Sequence, residues 1–153
     1  MAAHTDVASF SDTVYAISAS LPATYDAAGY GSTAITYTTI GKVQSFPEFG
    51  STSNVNEFVP ITGAVEYYKG ARRYGSGDMV VGDVPADAGQ VILKAAEASQ
   101  AHYSMKITYP DNEIHYLDVI VSSWKLSGAS EGTAMTRVAT LSMSKNPVVV
   151  AAA

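Results

Sequence analysis

The sequence predicts an α+β domain that is mainly β: a two-sheet β-sandwich or open barrel with one helix packed on it, an extended N-terminal arm and one long exposed loop. Three observations point there. Apolar and polar residues alternate with period two in segment after segment, while a single segment shows helical spacing. Charged residues are only 15% of the chain against 47% hydrophobic, and Ala, Ser, Thr and Gly fill the difference. The length, 153 residues, fits one domain over 1–153, without internal repeat or long linker.

Residues 1–12 have no sustained period and read as an arm. From Thr13 to Leu21, the residues Tyr15, Ile17, Ala19 and Leu21 share one face of a half-buried strand that Pro22 ends. Tyr25 to Ser32 reads as a loop of turn residues. Ile35 to Phe46, dense in Thr, Tyr, Ile and Val, reads as a second strand, with Gly41 marking a bulge or a close backbone approach. Asn54 to Ile61 reads as a third. The β pattern returns at Val65–Tyr68, and then Lys69–Gly77 packs three glycines and three cations together and reads as a mobile loop. Asp78–Val84 resumes as a strand.

A helix is predicted over Pro85–Gln100. Pro85 suits the first turn, Asp87 sits near the positive end of the dipole, and Ala88, Val91, Ile92, Ala95, Ala96 and Ser99 form the apolar stripe. His102–Tyr109 and Ile114–Leu126 then form a hairpin about the turn Pro110–Glu113, with His115 opposite Thr108 and Asp118 opposite Met105. The return strand is apolar on both faces, so the helix or a neighbouring subunit must cover its second side. Thr133–Ser144 is the last long strand: Met135, Ala139, Leu141 and Met143 mark its core face, and Thr136, Thr140, Ser142 and Ser144 a hydroxyl face. Residues 145–153 form a short extended tail. The total is about seven strands and one helix between the two halves.

Sites for chemistry are sparse. Without cysteine, the chain cannot build a disulfide framework, a thiolate-held cluster or a thiol nucleophile. His4, His102 and His115 are too dispersed for a metal pair, and Asp118 needs a structural partner or a subunit contact if it is buried. No Ser lies in a nucleophile elbow, and Gly70, Gly75 and Gly77 do not form a phosphate-binding loop. The expectation is a protein with no catalytic residues, cofactor or metal. Neither a signal peptide nor a membrane-spanning run is visible. The net charge of −5 argues against gripping nucleic acid. The sharpest electrostatic feature is Lys69, Arg72 and Arg73, three of nine cations within five residues, which suits an acidic face on a neighbouring protein ahead of a solvated loop or, with so few cations, a nucleic-acid patch.

In order along the chain, several segments resemble the major tail tube proteins of long-tailed (siphovirus) bacteriophages. They are Val14–Ser18, Tyr37–Val43, the Phe49-Gly50 break after Gln44–Pro47, the strand Gly77–Val81 followed by a single helix, and the closing run Met135–Val148 with its Asn-Pro ending. The similarity covers roughly residues 10–150, and the order of elements carries it more than any one motif. Some members carry a further immunoglobulin-like domain; this sequence stops at Ala153.

The resemblance implies a structural virion protein, assembled in the host cytoplasm and located in the phage tail. Six subunits form a ring, and rings stack into a tube through which the genome is ejected. Its implied partners are further copies of itself, the tape measure protein, and the tail terminator and tail tip proteins. DNA passes through the lumen without specific binding. On this pattern Val65–Gly77 is the inter-ring loop, with Tyr67, Tyr68, Lys69, Arg72, Arg73 and Tyr74 as contact residues and Thr136, Thr140, Ser142 and Ser144 as candidate lumen lining. Six copies at −5 give about −30 per ring, so an acidic or neutral lumen lets DNA slide. The alternatives are a stand-alone β-sandwich binding or decoration module, a type VI secretion tube subunit and a small enzyme.

Overall fold

The structure, a computed structural model, describes residues 6–7, 9–127 and 130–151; His4 lies outside them. Eight strands form one sheet. At its centre is the hairpin of β7 (Tyr103–Thr108) and β8 (Ile114–Leu126), flanked by β1 (Val14–Ser18) on β7 and β9 (Thr136–Met143) on β8. β6 (Ser76–Gly82) pairs with β9. The tail contributes β10 (Val148–Val150), which pairs with the start of β8, the stretch that β9 leaves open. The outermost strands are β2 (Thr38–Thr39) on β1 and β3 (Val43–Ser45) on β6. A second, two-stranded sheet holds β4 (Thr52–Phe58) and β5 (Glu66–Arg73). The mainly-β α+β expectation holds.

The segment Ile35–Phe46, expected as one strand, is split between opposite edges of the large sheet. Thr39 and Val43 are four residues apart, a reach of at most about 14 Å. The sheet must therefore curl until its edges nearly meet. Backbone bonds mark both shores: the Ile40 N–H donates to the Tyr15 carbonyl and the Gly82 N–H to the Lys42 carbonyl, each at 2.8 Å. Gly41 lies between them as the close approach that its position suggested. A Cβ there would lie 2.6 Å from Asp87 Oδ1.

Helix α2 (Ala88–Ala98) locks this crossing. Asp87 caps it, its Oδ2 accepting from the Gln90 N–H at 3.0 Å and from the Gly41 N–H at 3.1 Å. The buried face is Gly89, Gln90, Leu93 and Ala96. The expected stripe is corrected by about one residue: Ala88, Val91 and Ala95 are exposed, while Ile92, Ala96 and Ser99 lie toward the sheet. Crowding explains the rotation. A Cβ at position 89 would stand 2.5 Å from both Ile40 Cα and the Thr39 carbonyl oxygen, so only glycine lets the helix cross the segment there. Leu93 and Ala96 join Ile17, Met79, Met105, Leu117, Val119 and Leu141 in the core.

The other face of β8 has its own cover. Tyr25–Ser32, expected as a loop, contains the one-turn helix α1 (Ala27–Tyr30), capped by Asp26, whose Oδ1 accepts from the Gly29 N–H at 2.7 Å. The turn lays Tyr30, almost fully buried, flat on Tyr116 with ring centres 5.2 Å apart. Within one subunit α2 covers one apolar face of β8, and the tyrosine stack covers the other at Tyr116, leaving Ile114 and Ile120 half-buried.

Two smaller expectations are corrected. The β7–β8 turn closes with the Tyr109 N–H donating to the Glu113 carbonyl at 2.9 Å, and Asn112 takes a left-handed φ of 68°. This three-residue loop shifts the register by one, so His115 faces Ile107 and Asp118 faces Ser104. Met135 precedes β9 and is 61% exposed, whereas Ala139, Leu141 and Met143 are buried as expected.

Candidate assembly surfaces

The run Lys69–Gly77, expected as a loop, is mostly strand. Glu66–Arg73 pairs with Thr52–Phe58 through six registered positions, and only the corner Tyr74–Gly75 separates β5 from β6. Gly70 is the site of a bulge: Ser53 faces Arg72 and Val55 faces Lys69, so three steps on β5 match two on β4. In the sequence, that bulge glycine and the neighbouring cations resemble a loop; only the partner strand reveals the pairing.

This hairpin bonds to no strand of the large sheet. Seven residues of β4 at about 3.3 Å each carry it roughly 23 Å outward. Its side chains are exposed almost throughout, including Val55, Phe58, Tyr67 and Tyr68. The tip, Phe58–Val65, has no charged residue, and Ile61 is fully exposed. A two-stranded ribbon alone is marginal in water, so such a ribbon with an apolar tip is built to be covered. Sequence reading placed Asn54–Ile61 in a strand and did not mark the tip; the uncharged run Phe-Val-Pro-Ile-Thr-Gly-Ala-Val was the available signal.

Directly opposed residues share a face. Tyr67, Lys69 and Arg72 lie on one face with Glu57, Val55 and Ser53; Tyr68 and Arg73 lie on the other with Asn56 and Thr52. The six expected contact residues are therefore divided between two faces and the corner, where Tyr74 packs against the core. The hairpin, residues 52–73, holds three cations and two acids, whereas the remainder of the chain holds six cations and twelve acids. The reaching element and the body thus carry opposite net charge.

The hydroxyl face is interrupted by Val138. Thr136, Val138, Thr140 and Ser142 alternate along β9, half-exposed, with the exposed Lys125 of β8 opposite Val138, and Ser144 follows beyond its end. Across from them β6 sets Asp78 against Thr140 and Ser76 against Ser142. Thr140 Oγ1 donates to Asp78 Oδ1 at 2.8 Å and accepts from Ser123 Oγ at 2.8 Å.

The titratable groups serve the fold. Asp118, buried, pairs with His102 Nδ1 at 2.8 Å, the structural partner that its burial requires. His115 sits between Glu113 Oε1 at 2.9 Å and the Tyr109 hydroxyl at 3.2 Å. Among the described residues no group of three or more His, Cys, Asp or Glu is placed to hold a metal, and no helix is long and apolar enough to cross a membrane.

Burial raises the Tyr15, Tyr30, Tyr37, Tyr109 and Tyr116 hydroxyls above the usual 10, with Tyr109 pushed up to about 12. The unfolded chain therefore ionises these phenols first. The stability they contribute is complete below pH 10 and falls as pH rises from there toward the folded values. In an alkaline titration, their phenolate absorbance is expected to appear together with loss of the β-sheet circular dichroism. Phenolate from these five appearing with the sheet intact would contradict the packing described.

No protein-family model matches the chain, and no curated protein does. Solved structures do. A chain in the baseplate of the anti-feeding prophage, 6-fold symmetrised, superposes with a TM-score of 0.68 at 10% identity, over 98% of this chain and 99% of that one. A sheath/tube terminator of an extracellular contractile injection system gives 0.65 at 9% identity, over 97% and 100%. The SPP1 tail tube gives 0.58 at 18% identity, over 92% and 77%. The fold is the tail-tube fold. At these identities the likeness resides in the path of the backbone, in agreement with a resemblance carried by the order of elements.

Proposed function

We propose that this chain is a structural subunit of a phage tail, forming six-membered rings that stack into a hollow tube. The observation that carries the reading is the projecting hairpin. It has an apolar tip and three cations, and among the described residues it pairs with no strand of the large sheet. Such an element makes sense on a subunit whose neighbours are copies of itself. The shared fold supports the same reading, since the tail-tube fold occurs in a tail tube and in a 6-fold symmetrised baseplate.

In this role the hairpin is the inter-ring element, with Tyr67, Tyr68, Lys69, Arg72, Arg73 and Tyr74 at or beside the contact. The Thr136, Thr140 and Ser142 patch, with Asp78, is the surface proposed to line the lumen. Hydroxyls dominate this face and its single cation, Lys125, is offset by Asp78, so DNA passes with little of the counterion release that would hold it. The tape measure protein occupies the tube before ejection, and tail terminator and tip proteins close its ends. The role is mechanical and virion-borne, with subunits assembling in the host cytoplasm, and it calls for no catalysis.

The test is sedimentation of the purified chain over a range of concentrations. Concentration-dependent conversion to ring-sized and pelletable species is expected. A single monomeric boundary at every concentration would remove the reading.

A further inference from the structure

The hairpin leaves the large sheet between β3 and β6, at the end where β1 starts and where β7 turns into β8. At that end a cleft of about 310 Å³ is lined by Phe10, Tyr15, Phe46, Phe49 and Tyr109. The rings form a chain through His115: Phe10–Tyr109 at 5.9 Å, Tyr109–His115 at 4.9 Å, His115–Phe49 at 5.6 Å, Phe49–Phe46 at 5.9 Å and Phe46–Tyr15 at 4.9 Å. The three segments that supply them, 9–15, 44–49 and 109–115, carry Asp12, Glu48, Asp111 and Glu113 but no Lys or Arg. The cleft is thus aromatic within and acidic around.

One face of the hairpin has the inverse character. Lys69 and Arg72 lie beside Tyr67 and Val55, all exposed, against the single acid Glu57. Long cationic stems pack on aromatic rings, and their heads find carboxylates at the rim. Tyr67, Lys69 and Arg72 are not among the residues that line their own subunit's cleft. Arg72 lines a separate hollow at the hairpin base with Arg73, Met143 and Ser144.

We propose that the aromatic, acid-rimmed cleft is the socket for the Tyr67–Lys69–Arg72 face of the hairpin of a second copy of this chain. The proposal rests on the tube reading and adds the receiving surface. The contact is heterologous, one patch on a different patch, and so propagates from ring to ring along a stack.

A charge exchange tests it, read as the concentration at which light scattering reports assembly. Lys69→Glu with Arg72→Glu is expected to raise that concentration about tenfold or more, and so is Glu48→Lys with Glu113→Lys. All four changes in one chain restore the complementary signs and are expected to bring it back toward the unmodified value. Circular dichroism melts that match the unmodified chain confirm that the hairpin-side variants are folded. Normal assembly by either two-residue variant overturns the socket, as does a four-residue chain no better than the worse of its parents. Failure of the unmodified chain to assemble at all would remove the tube reading and the socket with it.

Discussion

Reversing Arg72 and Arg73 to glutamate is expected to abolish tube assembly while leaving the subunit folded. Both side chains stand on the projecting hairpin, opposite Ser53 and Thr52, and neither has an ion-pair partner among the described residues of the isolated subunit. Their removal therefore breaks nothing inside the fold, and surface changes of this kind usually shift stability by no more than about 0.5 kcal/mol. Between subunits the effect is large. The net charge moves from −5 to about −9 per chain, and the reversed groups meet a body in which acids outnumber cations two to one. Like charges brought together at an interface cost several kcal/mol, and the cost is repeated at every contact of a ring. Because Arg72 and Arg73 point to opposite faces, the two single reversals separate the faces: Arg72→Glu tests the Tyr67 side and Arg73→Glu the Tyr68 side. Pelleting, with the melting temperature as control, reads the result. Undiminished assembly by the double variant would contradict the role given to the hairpin.

The second large effect is internal. Gln90 is 2% exposed and holds three backbone groups where the curled sheet nearly closes. Its Nε2 donates to the Gly41 carbonyl at 3.1 Å and the Gly82 carbonyl at 2.7 Å, and its Oε1 accepts from the Val84 N–H at 3.1 Å. Gly41 belongs to the segment that crosses between edges, Gly82 ends β6 and Val84 follows it. One side chain thus ties both shores to the helix. Gln90→Leu keeps the size and raises the hydrophobicity, yet strands three part-buried backbone groups at about 1–3 kcal/mol each. A loss of about 4 kcal/mol in urea unfolding is expected, enough to endanger a single domain. A loss below about 1 kcal/mol would show that water or rearranged backbone replaces these bonds. Gln90→Glu keeps the acceptor but not the donors and should fall close to the Leu variant.

Legibility in the sequence followed the chemistry of each element. β1, β7, β8 and β9 were recognisable because period-two alternation is a local signal. So was α2, since Asp87 marks its start and no breaker intervenes, although the helix runs Ala88–Ala98 and Pro85, expected in its first turn, precedes the Asp87 cap. Its rotation was not legible: the buried face is built on Gly89 and Gln90, one chosen for having no side chain and the other for three hydrogen bonds, and neither registers as apolar. The division of Ile35–Phe46 between two sheet edges was hidden for a related reason, because a strand residue is the same whichever edge receives it. At the assembly surface, the cations at 69, 72 and 73 were legible as charge, but their pairing in a strand depends on Ser53 and Val55, some 14 to 19 residues earlier. The aromatic cleft draws on three distant segments and leaves no local pattern at all.

Copies of this chain are expected to close into sixfold rings that stack. Negative-stain electron microscopy of the purified protein, concentrated without partners, tests it most directly. The expected images show rings with six-fold end views and a stain-filled centre, together with side views of stacked rings forming tubes. A field of compact single subunits at every concentration, or closed assemblies without a central channel, would contradict it.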